Sequence, residues 1–348
     1  MSVSAAADLK ESEGLLEAHA LAFRIAFAAA VGLTLGYVLG WDFPFLPPLF
    51  AVQLLTGSHS LKLKQAIGFV VLMVAGCVFS VIIAQGFVQT PLVLVLVIGL
   101  LVFVAFLMLA RQQAVPVASV LLITTAIVPL VSVSSIELAY GLVYTLIAGS
   151  ILAVLLVFLA CAFFPARNHT DEVAETQPEE LVPARAALAN TAVLMSLVLL
   201  LIFSGSSASV IVLMTAITVL RQPVVAGHGA AYGFIMGNLV GGLAATGAYL
   251  LVALFPSPAF LLLVAMLFGL IFGARIAKGG DLAPIYVVGL VTFLIVLGLG
   301  LAPLPSDSGS VFITRLFNVV IAAAYTIGTA SVLRWLLHAQ GYRSRPAR

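Results

Sequence analysis

The chain has 348 residues, of which 63% are hydrophobic and 8% charged, with a formal net charge of +2. A water-soluble domain of this size clothes its surface with about a quarter charged residues, so the composition excludes a soluble globular protein and makes lipid the principal solvent. The basic residues are scattered through short loops and gather into no stripe, which gives no support to nucleic-acid binding.

Each crossing of a bilayer by a helix takes about 20 apolar residues, and only helices or closed barrels satisfy the backbone in hydrocarbon. Apolar runs as long and continuous as these mean helices. The expected fold is all-α: a polytopic membrane protein of about 12 transmembrane helices, arranged as two parallel six-helix repeats. Residues 1–19 form a cytoplasmic N-terminal segment with four acidic residues, no basic leader and no small-residue cleavage site, so no signal peptide is expected. Spans near 20–40, 45–57, 64–86, 91–110, 115–132 and 139–164 make up the first repeat, 20–164. The polar linker 165–184 is acidic in its middle and too short to fold alone. Spans near 185–204, 208–221, 230–254, 258–277, 283–301 and 312–336 make up the second repeat, 185–336, followed by a basic cytoplasmic tail, 337–348. The second span of each half is short; in the first half Pro44, Pro47 and Pro48 suit a helix entry and would break a helix interior.

The duplication rests on punctuation that returns in the same order. Pro91 opens a run ending at Ala110 and Arg111, and Pro258 opens another ending at Ala277 and Lys278; Pro116 and Thr124 return as Pro284 and Thr292, and Gln53 and His59 as Gln222 and His228. Under this threading every lysine and arginine except Arg315 falls on one side. The positive-inside rule makes that side the cytoplasm, with both termini and the linker inside. An even number of spans per half makes the repeats parallel, related by an axis along the membrane normal, with a route between the halves as the natural inference.

Polar and small residues mark candidate sites within the spans. In the ninth span Gly233, Gly237, Gly241 and Ala245 recur every four residues, and Gly68 and Gly76 give a thinner strip in the third; such strips let a neighbouring backbone approach closely. The last span carries Arg315, Asn318, Tyr325 and Thr329 within an arc of roughly 80° at about 100° per residue. A guanidinium there suits an organic carboxylate, the alternative being a structural salt bridge to Asp307, Asp42 or Glu137. Gln53, Thr56 and Ser60 lie at i, i+3, i+7 on the second span, and Thr215, Thr218 and Gln222 lie at the same spacing on the eighth. These edges either line a path for a polar solute or hydrogen-bond between helices. His59 and His228, at the cytoplasmic ends of the short spans, are either proton-sensing groups or loop residues beside headgroups. No mid-membrane carboxylate, metal spacing, nucleotide loop or nucleophile constellation occurs, so neither a cofactor nor a catalytic residue nor an enzyme activity is expected. Cys77 and Cys161 lie in apolar runs as small hydrophobes.

The stretches FAVQLLTGSHSLKLKQAIGFVVLMVAG and VLMTAITVLRQPVVAGHGAAYGFIMGNLVGG resemble the repeated signature of the fusaric acid resistance and aromatic acid exporter family. Arg221, Gln222 and Pro223 match its Gln-Pro region, Gly237 and Gly241 its glycines, Gln53 and Gly68 the first-half copy, and ITRLFNVVIAAAY its closing helix through Arg315. The signature arginine is replaced by Gln65 and Phe234, and the large soluble insertion is reduced to the linker. The resemblance implies efflux of aromatic or other organic carboxylic acids and related toxic compounds across a bacterial inner membrane, driven by protons. It also implies a periplasmic membrane-fusion adaptor as partner, and homo-oligomers are compatible with it. Substrate contacts are then expected from Arg315, Asn318, Tyr325, Gln53, Thr56, Thr215, Thr218 and Gln222. Two alternatives stand beside the exporter: a passive organic-anion channel and a noncatalytic scaffold subunit of an efflux assembly.

Overall fold

Prolines set several helix entries, where the missing N–H would have had no intrahelical partner. Pro91 and Pro258 open their helices, and the Ser257 hydroxyl caps the second by accepting from the Phe260 N–H at 3.2 Å. In the computed structural model, residues 3–57, 62–87, 89–111, 115–165, 183–204, 228–280 and 282–301 are described, with isolated positions between 212 and 220 and between 321 and 329. These residues form α1 (Val3–Val38), α2 (Leu46–Gly57), α3 (Leu63–Phe87), α4 (Pro91–Ala110), α5 (Val115–Ser134), α6 (Ile136–Phe163), α7 (Pro183–Ser204), α8 (His228–Leu254), α9 (Pro258–Ala277) and α10 (Ala283–Leu301). Among the described residues nine helices are long and apolar enough to cross a membrane, and the chain is a polytopic helical membrane protein. The tenth, α2, has 12 residues, or about 18 Å at 1.5 Å per residue, too short for about 30 Å of hydrocarbon.

Helix boundaries depart from the sequence pattern mainly at entries. α1 starts at Val3 instead of near residue 20, because the polar stretch before the apolar run is rich in alanine, leucine and glutamate, all good helix formers. α7 starts at Pro183, inside the expected linker, with proline again at the first turn. The lone in-helix proline among the described segments is Pro129 of α5.

The described residues cluster into two compact units, each drawing on both halves of the chain. The first takes residues from within Met1–Gly68, Ala148–Val173 and Met236–Phe312; the second from within Phe69–Ile147, Ala174–Ile235 and Ile313–Arg348.

In the first unit α1 packs on α9, α2 and α10, and α9 packs on α10. Small residues make the α1 and α9 approach close. A Cβ placed on Gly269 would lie 2.9 Å from Ala26 Cα, and one on Gly273 would lie 2.8 Å from the Ala22 carbonyl oxygen. The pairing of rising with falling numbers makes the two helices antiparallel. With little hydrophobic drive between helices in lipid, close packing of this kind supplies the attraction.

Helix α2 is the core of that unit. Eight of its residues, including Leu46, Leu49 and Phe50, are buried, as are Phe43 and Phe45 before it. Its proline-rich entry sits against glycines on three other helices: Pro44 against Gly36 and Pro48 against Gly32 of α1, Pro47 against Gly149 of α6, and Phe45 against Gly298 of α10. Non-helical backbone at membrane depth is tolerated where protein encloses it, and the glycines clear the space it needs.

In the second unit α4 packs on α5 and α7, and α5 touches α7. Gly99 of α4 faces Met195 of α7, and Gly76 of α3 faces Val120 and Thr124 of α5. Cys77 is a buried free thiol, and Cys161 is free and half-buried.

Candidate functional site

Many of the described threonine and serine hydroxyls bond within their own helix. Thr124 donates to the Val120 carbonyl (3.0 Å), Thr125 to Leu121 (2.6 Å), Ser132 to Val128 (2.8 Å), Thr145 to Gly141 (2.7 Å), Thr191 to Ala187 (2.8 Å) and Thr246 to Gly242 (2.9 Å). Such bonds hide a hydroxyl from lipid without implying a ligand. The informative side chains are those that bond to another element or to nothing described.

Gln53 and Thr56 form the exit edge of α2. Thr56 is exposed and donates back to the Val52 carbonyl at 2.9 Å. Gln53 is half-buried, and its carboxamide has no hydrogen-bond partner among the described residues. A short, protein-enclosed helix thus carries an open amide in its C-terminal half, a group that can both donate to and accept from a polar solute.

Tyr325 is half-buried in the second unit, its hydroxyl 2.9 Å from Ser196 Oγ of α7. Thr329 donates to the Tyr325 carbonyl at 2.6 Å. The pair ties the last span to α7, so the Tyr325 hydroxyl is engaged within the protein. A double-mutant cycle with Tyr325→Phe and Ser196→Ala is expected to give a coupling of about 0.6 kcal/mol, the usual size for interhelical bonds in membranes. Thermal unfolding in micelles measures it; strictly additive effects would deny the bond.

The glycine strip of α8 lies against backbone. A Cβ on Gly237 would lie 2.7 Å from the Ile285 carbonyl oxygen, and one on Gly241 would collide with the Gly289 carbonyl. Between these glycines the buried Asn238 accepts from the Thr292 hydroxyl at 2.8 Å. Gly68 has open space around it, whereas Gly76 faces Thr124 Oγ1 at 3.0 Å. Gly233 lies within α8, and His228 is the first residue of that helix. Arg315, Asn318, Thr215, Thr218, Gln222 and His59 lie outside the described residues.

Three cross-element groups were not singled out by pattern. Asn190 of α7 is buried and reaches the Leu220 carbonyl at 3.4 Å. Asn238 is hidden in the sequence by the glycines around it. Arg24 of α1 is 8% exposed, and its Nε donates to the Phe164 carbonyl at 2.8 Å. Its signal was an arginine inside an apolar run, between Phe23 and Ile25. No group of three or more potential metal-ligating side chains occurs among the described residues.

Residues 21–160, from within α1 to within α6, match the profile of a family described as a protein of unknown function, DUF2955. Comparison with curated proteins and with solved structures gave no match.

Proposed function

We propose that the protein is a bacterial inner-membrane exporter of small aromatic or other organic carboxylic acids, proton-driven, with both termini cytoplasmic. The observation that carries this reading is α2: a helix too short to cross alone, enclosed by protein, with the open Gln53 carboxamide in its C-terminal half. Short helical pieces of discontinuous spans border the solute site in many transporters. A scaffold would have no need to leave an amide open on a short buried helix. In this reading Gln53 contributes a polar contact in the first unit, and Arg315 is proposed separately to offset the substrate's charge.

The duplication is part of the proposal and draws support from pairing inside each unit. Aligning α1 with α7, α4 with α9 and α5 with α10 makes the α1 and α9 pairing the counterpart of α7 on α4. The α9 and α10 pairing is likewise the counterpart of α4 on α5, and α1 with α10 that of α7 with α5. The family match, 21–160, covers nearly the span of the first proposed repeat.

Purified protein in liposomes is expected to catalyse counterflow of labelled benzoate against a preloaded excess. An imposed inward-acid proton gradient is expected to raise the initial rate. Absence of counterflow, with currents that reverse at the benzoate equilibrium potential, would replace the carrier by a channel. Gln53→Leu is expected to slow counterflow about tenfold, the cost of one lost hydrogen bond to a charged ligand.

A further inference from the structure

Arg24 is a cation with 8% of its surface exposed, within the first apolar span, Leu16–Val38. Charges in such places are ordinarily paired, yet no carboxylate pairs with it among the described residues. Its one described bond uses Nε, which donates to the Phe164 carbonyl just past the end of α6. That bond fixes the guanidinium plane and leaves its far edge, the Nη1 and Nη2 pair, unbonded among the described residues.

Phenyl rings neighbour Arg24 and its carbonyl partner along both helices. Phe23 stacks on Phe164 at 5.4 Å between centroids, and Phe27 meets Phe163 at 5.8 Å and Phe164 at 6.4 Å. Phe23 and Phe163 are 41% and 65% exposed. In the same unit Arg275 faces the Tyr286 ring at 5.9 Å, so that cation has an aromatic partner of its own.

From these contacts we propose that Arg24 is an oxyanion-binding residue, presenting its Nη edge end-on to the two oxygens of an anion whose apolar body lies on Phe23 and Phe163. A planar fork with one edge pre-oriented by a backbone carbonyl matches a carboxylate or phosphate bidentately. Two sources share this chemistry: a free aromatic carboxylate, which deepens the export reading by adding a specificity residue on α1, and the phosphate of an anionic lipid.

The test is thermal unfolding of the full-length protein, read without any gradient or transport. In one arm sodium benzoate is titrated against matched sodium chloride in detergent; in the other, phosphatidylcholine nanodiscs are compared with and without phosphatidylglycerol. The wild type is expected to be stabilised in at least one arm, and Arg24→Gln to need about tenfold more of that anion for the same shift. Stabilisation by benzoate identifies the free acid, and stabilisation by phosphatidylglycerol alone identifies the lipid; either supports the site. No stabilisation in either arm, or an undiminished response in Arg24→Gln, would reduce Arg24 to a tie on the α6 end. If Arg24→Gln does not fold, Arg24→Lys keeps the charge without the fork and is expected to show the same weakening; full affinity in that variant overturns the proposal. A protein that binds benzoate through Arg24 but shows no counterflow would sink the export reading and leave this one standing.

Discussion

Gly241→Leu is expected to leave no monodisperse folded protein. A Cβ at this position meets the Gly289 carbonyl oxygen, and neither partner is a side chain that could rotate away. Overpacking a core ordinarily costs about 1–3 kcal/mol; here relief requires α8 and α10 to separate, which also breaks the buried bond between Asn238 and Thr292. Against a total stability of about 5–15 kcal/mol, that combination is expected to exceed the margin. Gly68→Ala is the control, since its Cβ would enter open space, and removing a mid-helix glycine favours the helix by about 0.5–1 kcal/mol. Fluorescence-detected size exclusion of the two variants is the measurement. A sharp peak and ordinary melting for Gly241→Leu would show that the two helices need not touch.

Arg315→Ala is expected to reduce export at least about tenfold while membrane levels stay near those of the wild type. The proposed role gives it charge-assisted bonds worth about 1.5–3 kcal/mol, and a tenfold change corresponds to 1.4 kcal/mol. Its sequence spacing is that of the arc expected for Tyr325 and Thr329, and Tyr325 is anchored to α7 through Ser196. Whole-cell efflux of a fluorescent aromatic acid, normalised to membrane protein, reads the effect. Unchanged efflux would return Arg315 to a structural role. Loss of the protein from the membrane would favour a salt bridge to Asp307, Asp42 or Glu137.

Much of the secondary structure was legible because hydrophobic length and proline punctuation act locally. Pro91–Ala110, Pro258–Ala277 and Ala283–Leu301 have the bounds that the sequence pattern gives, since prolines mark the entries and a cation, Arg111 or Lys278, follows the first two. The start of α1 was less legible: helix propensity carries it through a polar stretch that hydropathy reads as a separate segment. Pairing was not legible at all. Ala22 and Ala26 look like ordinary helix formers until Gly269 and Gly273 are placed beside them, and no periodicity links residues so far apart. The candidate site was legible only as polar residues in lipid. Pattern could not separate Thr56, which bonds its own helix, from Gln53, which stays open. It also counted Arg24 with the loop cations, because its one described bond is to a carbonyl 140 residues away along the chain.

The joining of α1 to α9 governs how the protein can be made. About 250 residues separate Ala22 from Gly273, and a ribosome adding roughly 5–20 residues per second delivers the second helix more than ten seconds after the first. During that interval the small-residue face of α1 stands in the bilayer without its mate, and the proline-rich entry to α2 lacks the Gly298 notch. The nascent chain therefore has reason to linger beside an insertase, and a fragment ending at the linker has no means of completing its own interior. Two fragments split within that tether and synthesised together, in contrast, hold every helix that the finished molecule uses.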